Sequence, residues 1–185
     1  MKTYTHKIKE ELIAIAVFIA VIWAVFLFDI FLPLERLGLV PRDGGGLIGI
    51  VMMTFLHGNY QHLLSNTVPL IALLALLAGS RADSRKVVVS VILLGGVLLW
   101  LFGRSNSIHI GASLLVFGLA VFLIVSGLIE KRTLPIIISI IVALVYGTSL
   151  LSGIMPWQRG VSWDGHLMGG IAGAMTAWGL VKRGK

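Results

Sequence analysis

The sequence predicts an all-α polytopic membrane protein, with six transmembrane helices and a long first outer loop partly embedded in the membrane. Three observations carry that reading. The 185-residue chain is 57% hydrophobic and only 12% charged, with a mean hydropathy of +0.99, a balance that a water-soluble domain of this size does not tolerate. Six apolar stretches reach or approach the roughly 20 residues that a helix needs to cross a bilayer. Lysine and arginine are divided unequally between the connections on the two sides. At this length, residues 1–185 are expected to form one membrane domain with no room for a second folded unit.

The first stretch, Leu12–Phe31, follows Lys2, Lys7 and Lys9. Its apolar core is longer than that of a secretory leader and no small-x-small site follows, so an uncleaved anchor is expected. The connection from Pro33 to Gln61 contains Leu47–Leu56, an apolar run too short to span the membrane. An interfacial or re-entrant segment and a surface loop with buried side chains both fit that run. Gly44-Gly45-Gly46 before it reads as a flexible entry. No Gly-Lys-Ser/Thr follows, which excludes a phosphate loop. The remaining spans are expected at His62–Gly79, Val87–Gly103, Ala112–Ile129, Leu134–Leu151 and Trp163–Val181.

Orientation follows from the basic residues. With the N-terminus inside, Lys2, Lys7, Lys9, Arg81, Arg85, Lys86, Lys131, Arg132, Lys182, Arg183 and Lys185 face the cytoplasm. Arg36, Arg42, Arg104 and Arg159 face the other side, a division of eleven to four. This positive-inside bias predicts that both termini are cytoplasmic. It also accounts for the net charge of +7, because the charges flank apolar stretches and form no nucleic-acid-binding surface. The chain has no cysteine, which excludes disulfides, thiol catalysis and cysteine-ligated metal.

Polar and ionisable groups inside membrane segments are expensive, and each is a functional candidate. On this topology His57, His62, Asn66, His109, Ser113 and His166 all lie at or just below the outer face. His62 and Asn66, four apart, share one helix face. They could join neighbouring helices or act as side-chain donors. Ser113 begins a helix, where free N–H groups and the dipole favour a developing oxyanion. A serine in a membrane helix otherwise bonds a carbonyl one turn back.

His166 begins a helix carrying Gly165, Gly169, Gly173 and Ala177 at four-residue spacing. Such a stripe lets a partner helix approach closely. If that partner is the Ser113 helix, hydroxyl and imidazole come within hydrogen-bond reach. Asp164 is two residues from His166 and should face elsewhere, so capping its own helix is the expected role. His57 and His109 are expected to bond loop backbone. A zinc site is disfavoured because no His-Glu-x-x-His motif occurs, and nothing calls for a cofactor.

Together these stretches resemble the rhomboid intramembrane serine proteases of bacterial type, with a bare six-helix core. The matching segments are His57-Gly58-Asn59-Tyr60-Gln61-His62-Leu63-Leu64-Ser65-Asn66, then His109-Ile110-Gly111-Ala112-Ser113 with Phe117-Gly118, then Gly165-His166-Leu167-Met168-Gly169 with Gly173. The resemblance implies Ser113 as nucleophile and His166 as general base, a dyad without a carboxylate. It implies an oxyanion held by His62, Asn66 and the Ser113 N–H. It further implies a water-filled cavity open to the extracytoplasmic side, in a cell-membrane protein whose substrates are transmembrane proteins.

Two departures stand out: Leu114 follows the serine where the family usually has glycine, and the tryptophan-arginine pair seen in the first loop of some members is missing. Leu114 raises the alternative of a pseudoprotease that binds membrane helices without cutting. A channel or transporter is disfavoured because the inner halves of the spans are almost purely apolar.

Overall fold

The computed structural model describes residues 4–80, 84–157 and 160–182. Of the charges that set the expected topology, Lys2, Arg81, Arg159, Arg183 and Lys185 lie outside the described residues. Regular structure among the described residues is helical. The long helices are α1 (Tyr4–Asp29), α3 (Tyr60–Gly79), α4 (Ser84–Phe102), α5 (Ser113–Glu130), α6 (Thr133–Gly153) and α7 (Trp163–Lys182), and a short α2 (Gly49–Met52) lies in the first loop. In lipid the backbone must satisfy its own polar groups, which is why the apolar runs become helices.

All six expected spans are present as helices, with differences at their ends. The largest is in α1, which begins at Tyr4 rather than Leu12. Polar residues extend the helix there beyond its apolar run. Asn59 caps α3, its Oδ1 accepting from the His62 N–H at 2.8 Å. Lys131 ends α5 in the left-handed region at φ 54°.

Among the described residues, five helices (α1, α3, α4, α5 and α6) are long and apolar enough to cross a membrane on their own. α7 is of similar length but is richer in glycine and less apolar. Its position explains the difference, because it packs against α5 and α4 and buries Ala172, Gly173 and Ala177. α1 is the opposite case. Only 6% of its apolar window is buried, and Val17, Leu27 and Phe28 point outward.

α5 is the central element, packed on by α7, α6, α3 and α4. Leu115, Leu119, Phe122 and Leu123 bury its faces almost completely. The glycine stripe of α7 meets α5 backbone to backbone. A Cβ at Gly169 would strike the Leu114 carbonyl oxygen, and one at Gly173 would strike that of Gly118. Gly165, expected in the same contact, lies instead against the Ser162 hydroxyl and Leu99 of α4.

The first loop is helical over much of its length. A 3₁₀ turn at Gly45–Ile48, then α2, then a 3₁₀ turn at Met53–Phe55 form one irregular segment. Gly49 lies against the Leu39 backbone, and Gly96 of α4 leaves room for Ile50. Leu47, Ile48 and Val51 are exposed on the other side. Leu47–Leu56 is thus an irregular helical segment with one packed side and one exposed apolar side. This loop, and a bridge between Leu39 and His109, complete the frame around the site.

The α5–α7 contact gives a stability prediction. Gly173→Ala should destabilise the fold by about 1–3 kcal/mol through overpacking. Gly147→Ala, whose added Cβ meets nothing within 4 Å, should be neutral or slightly stabilising. Thermal unfolding of both variants in detergent checks the pair.

Candidate active site

Each sequence-predicted site residue owes its position to a local feature of the fold. Ser113 is the first residue of α5. The turn before it is set by Gly111, at φ +113°, a conformation that strongly favours glycine. The Gly111 N–H donates to the Met53 carbonyl at 2.8 Å, and the Ala112 N–H donates to His57 Nε2 at 3.4 Å. The first loop therefore holds the serine turn through two backbone amides.

His62 and Asn66 come to the same turn from α3. A Cβ added at Gly111 would stand 2.6 Å from His62 Nε2 and 3.6 Å from Asn66 Nδ2. Gly111 is thus needed for space as well as for its dihedral angle. Asn66 is buried and donates one amide hydrogen to the His62 carbonyl at 3.0 Å. Pro69 lies one turn further on, inside α3. Having no N–H, it frees the Ser65 carbonyl from the helical ladder, and both residues line the cavity described below.

His166 sits in the first turns of α7 with its ring held on two sides. The ring stacks on Phe117 of α5, centroids 4.0 Å apart and planes 10° from parallel. Its Nδ1 is 2.8 Å from the Gly153 carbonyl oxygen. A carbonyl can only accept, so Nδ1 carries the hydrogen and Nε2 of the neutral ring keeps its lone pair. That is the tautomer a general base requires.

Ser113, His166, His62 and Asn66 line one cavity of about 740 Å³, with Phe117 and Tyr146 among its walls. The volume lies within the range of ligand sites. Among the described residues no hydrogen bond joins the Ser113 hydroxyl to the His166 ring. The hydrogen bond expected from sequence is not formed here; the ring is anchored on Gly153 and Phe117 instead. Leu114 does not enter the cavity. Its side chain is 3% exposed, and its Cδ2 would lie 2.7 Å from a Cβ at Gly95 of α4.

His57 and His109 take structural places. His57 accepts from the Ala112 N–H through Nε2, and its ring meets His62 edge-on at 5.1 Å. Burial, with the neighbouring His62 second, lowers its pKa to about 4. His109 places Nδ1 2.7 Å from the Ser162 hydroxyl, and burial also lowers its pKa.

Asp164 departs from its expected capping role. Both of its oxygens are engaged by Arg104, across the molecule. In the sequence Arg104 stands only as a topology charge. The pair is 60 residues apart in the chain, and a single sequence carries no signal that joins them.

These features define a multi-pass helical membrane protein with a cavity, lined by both apolar and polar side chains, at one end of its bundle. The Rhomboid domain is matched over residues 44–183. Similar proteins include the uncharacterized proteins Rv1337 of Mycobacterium tuberculosis and Mb1372 of Mycobacterium bovis. Each is 41% identical over 179 residues, covering 89% of this chain and 72% of the relative. The uncharacterized protein ML1171 of Mycobacterium leprae is 38% identical over 177 residues, covering 90% and 70%. The chain belongs to the rhomboid family, whose members are generally intramembrane serine proteases.

His57 gives a pH prediction. Its folded-state pKa, about 4, is below the usual 6.5, so between those values the unfolded chain binds the extra proton. The stability that neutral His57 contributes is complete above pH 6.5 and is lost progressively as pH falls toward 4. Thermal unfolding should therefore move to lower temperature on acidification. His57→Gln, which can still accept from Ala112, should flatten that dependence.

Proposed function

We propose that this protein is an active intramembrane serine endopeptidase that cuts transmembrane segments of membrane proteins. The observation that carries the reading is the shared cavity. A serine at a helix start and a histidine of the correct tautomer line one cavity, on helices packed backbone to backbone. The missing hydrogen bond between them fits a resting enzyme, in which catalytic hydrogen bonds are often long until substrate binds.

In this mechanism a substrate helix enters from lipid and unwinds locally, because helical hydrogen bonds shield its peptide groups. Glycine or proline near the cut assists. Ser113 Oγ attacks the carbonyl carbon while His166 Nε2 takes its proton. The oxyanion is received by His62, Asn66 and the Ser113 N–H, the last being an unpaired amide of the helix start. The C–N bond breaks as His166 returns the proton to the leaving amine. Water then attacks the acyl-serine, giving a proton to His166, which restores it to Ser113 Oγ. No cofactor takes part.

The pseudoprotease alternative had Leu114 as its sequence support. Burial of that side chain against α4, away from the cavity, favours the protease. In the proposed topology both termini are cytoplasmic and the cavity opens to the extracytoplasmic side of the cell membrane.

A fluorophosphonate probe tests the chemistry. It should label the wild-type chain and neither Ser113→Ala nor His166→Ala. Asn66→Ala should slow cleavage of a transmembrane reporter by about 10²–10³ through loss of one oxyanion donor. Cleavage by purified Ser113→Ala would sink the assignment.

The absence of cysteine makes topology equally testable. In intact cells an impermeant maleimide should label Ile108→Cys, an exposed position beside the cavity. Lys131→Cys should react only after the membrane is opened.

A further inference from the structure

We propose that Arg104 and Asp164 are positioning residues: their forked ion pair fixes the start of α7, and with it the His166 ring, against the loop that delivers Ser113. The proposal rests on the proteolytic reading above and names what keeps that machinery in register.

Asp164 lies in the first turn of α7 and is 2% exposed. A carboxylate so placed needs partners in place of water. Arg104 supplies them from the α4–α5 loop. Its Nη2 donates to Oδ1 at 3.0 Å, its Nε to Oδ2 at 3.2 Å, and its backbone N–H to Oδ2 at 2.9 Å. The same Nη2 reaches the Val161 carbonyl at 3.4 Å, and the guanidinium lies 5.5 Å over the Trp163 ring. One arginine thus grips three positions at the start of α7. A lysine could not copy this, because the grip depends on a planar fork.

The loop has a second fastener. His109 holds the Ser162 hydroxyl at 2.7 Å and brings Nε2 to 3.7 Å from Asp164 Oδ2. Its backbone also pairs with Leu39, N to O at 2.8 and 3.0 Å. Four residues later the loop delivers Ser113. The clamp therefore sits two residues before His166 on one side and close before Ser113 on the other.

The glycine contacts at Gly169 and Gly173 fix how near α5 and α7 lie. They join the two helices at Leu114 and Gly118 and do not reach the α4–α5 loop. The fork ties that loop to the first turn of α7. A displacement of about 1 Å at a reacting group costs on the order of 10²-fold in rate, so a fastener at this point acts on turnover more than on binding.

The test compares wild type, Asp164→Asn, Arg104→Lys and the double variant, all purified in detergent. Reporter cleavage, the rate of fluorophosphonate labelling at Ser113 and thermal unfolding are measured together. Each single variant should lower kcat and the labelling rate by about 10²-fold, with KM nearly unchanged. The double variant should be no worse than the singles, as for two members of one unit. Should Asp164→Asn fail to fold, Arg104→Lys decides, because it keeps a charge beside the buried carboxylate and removes only the fork.

Wild-type kcat in folded variants, or a loss matched fully by the unfolded fraction, would overturn the proposal. A wild-type chain that neither cleaves nor labels would instead remove the proteolytic reading, and this proposal with it.

Discussion

The close approach of α7 to α5 is the contact on which the remaining geometry depends. In lipid no hydrophobic force drives two apolar helices together, and association relies on packing and polar contacts. Gly169 and Gly173 remove the side chains that would hold the backbones apart, bringing α7 against the carbonyls of Leu114 and Gly118. Phe117, between those two residues in α5, then lies flat beneath the His166 ring. The helix contact and the placement of the imidazole are thus one structural event. Any residue with a Cβ at Gly173 disturbs both.

Irregular backbone at membrane depth survives only where protein or a wet cavity satisfies it. The loops around the cavity follow that rule closely. The turn at Gly111 and Ala112 gives its amides to Met53 and His57, Trp100 donates its indole hydrogen to the Asp43 carbonyl at 2.9 Å, and Arg42 reaches the Leu101 carbonyl at 3.0 Å. The first loop is therefore a buttress for the serine turn. Its Leu47, Ile48 and Val51 are exposed on one side, while its inner side carries the hydrogen bonds that hold the serine turn in place.

What could be read from the sequence was whatever depends on local pattern. Six helices followed from hydropathy, and the α5–α7 contact followed from glycines at helical spacing. Ser113, His62, Asn66 and His166 were singled out because polar groups are rare inside apolar spans, and the fold brings all four to one cavity. Pairings between distant segments were not legible. Arg104 and Asp164 look like a topology charge and a helix cap until the loops close. Gly165 falls in the stripe by spacing, yet it lies before the point where the helices converge and touches Ser162 instead. The anchor of His166 is a backbone carbonyl, that of Gly153, which no side-chain pattern can announce.

Leu114 shows how a departure from a family pattern can be absorbed by the fold. Consecutive helical residues point about 100° apart, so when Ser113 faces the cavity its successor faces elsewhere. Here that direction leads to α4, where Gly95 has no side chain and the leucine fills the space. A glycine after the nucleophile and a larger residue on α4 would fill the same volume in reverse. Size at position 114 is therefore coupled to size at position 95, on a face of α5 that takes no part in lining the cavity. On this account the leucine belongs to the packing of α4, α5 and α7, and its presence leaves the cavity free for a peptide to approach Ser113.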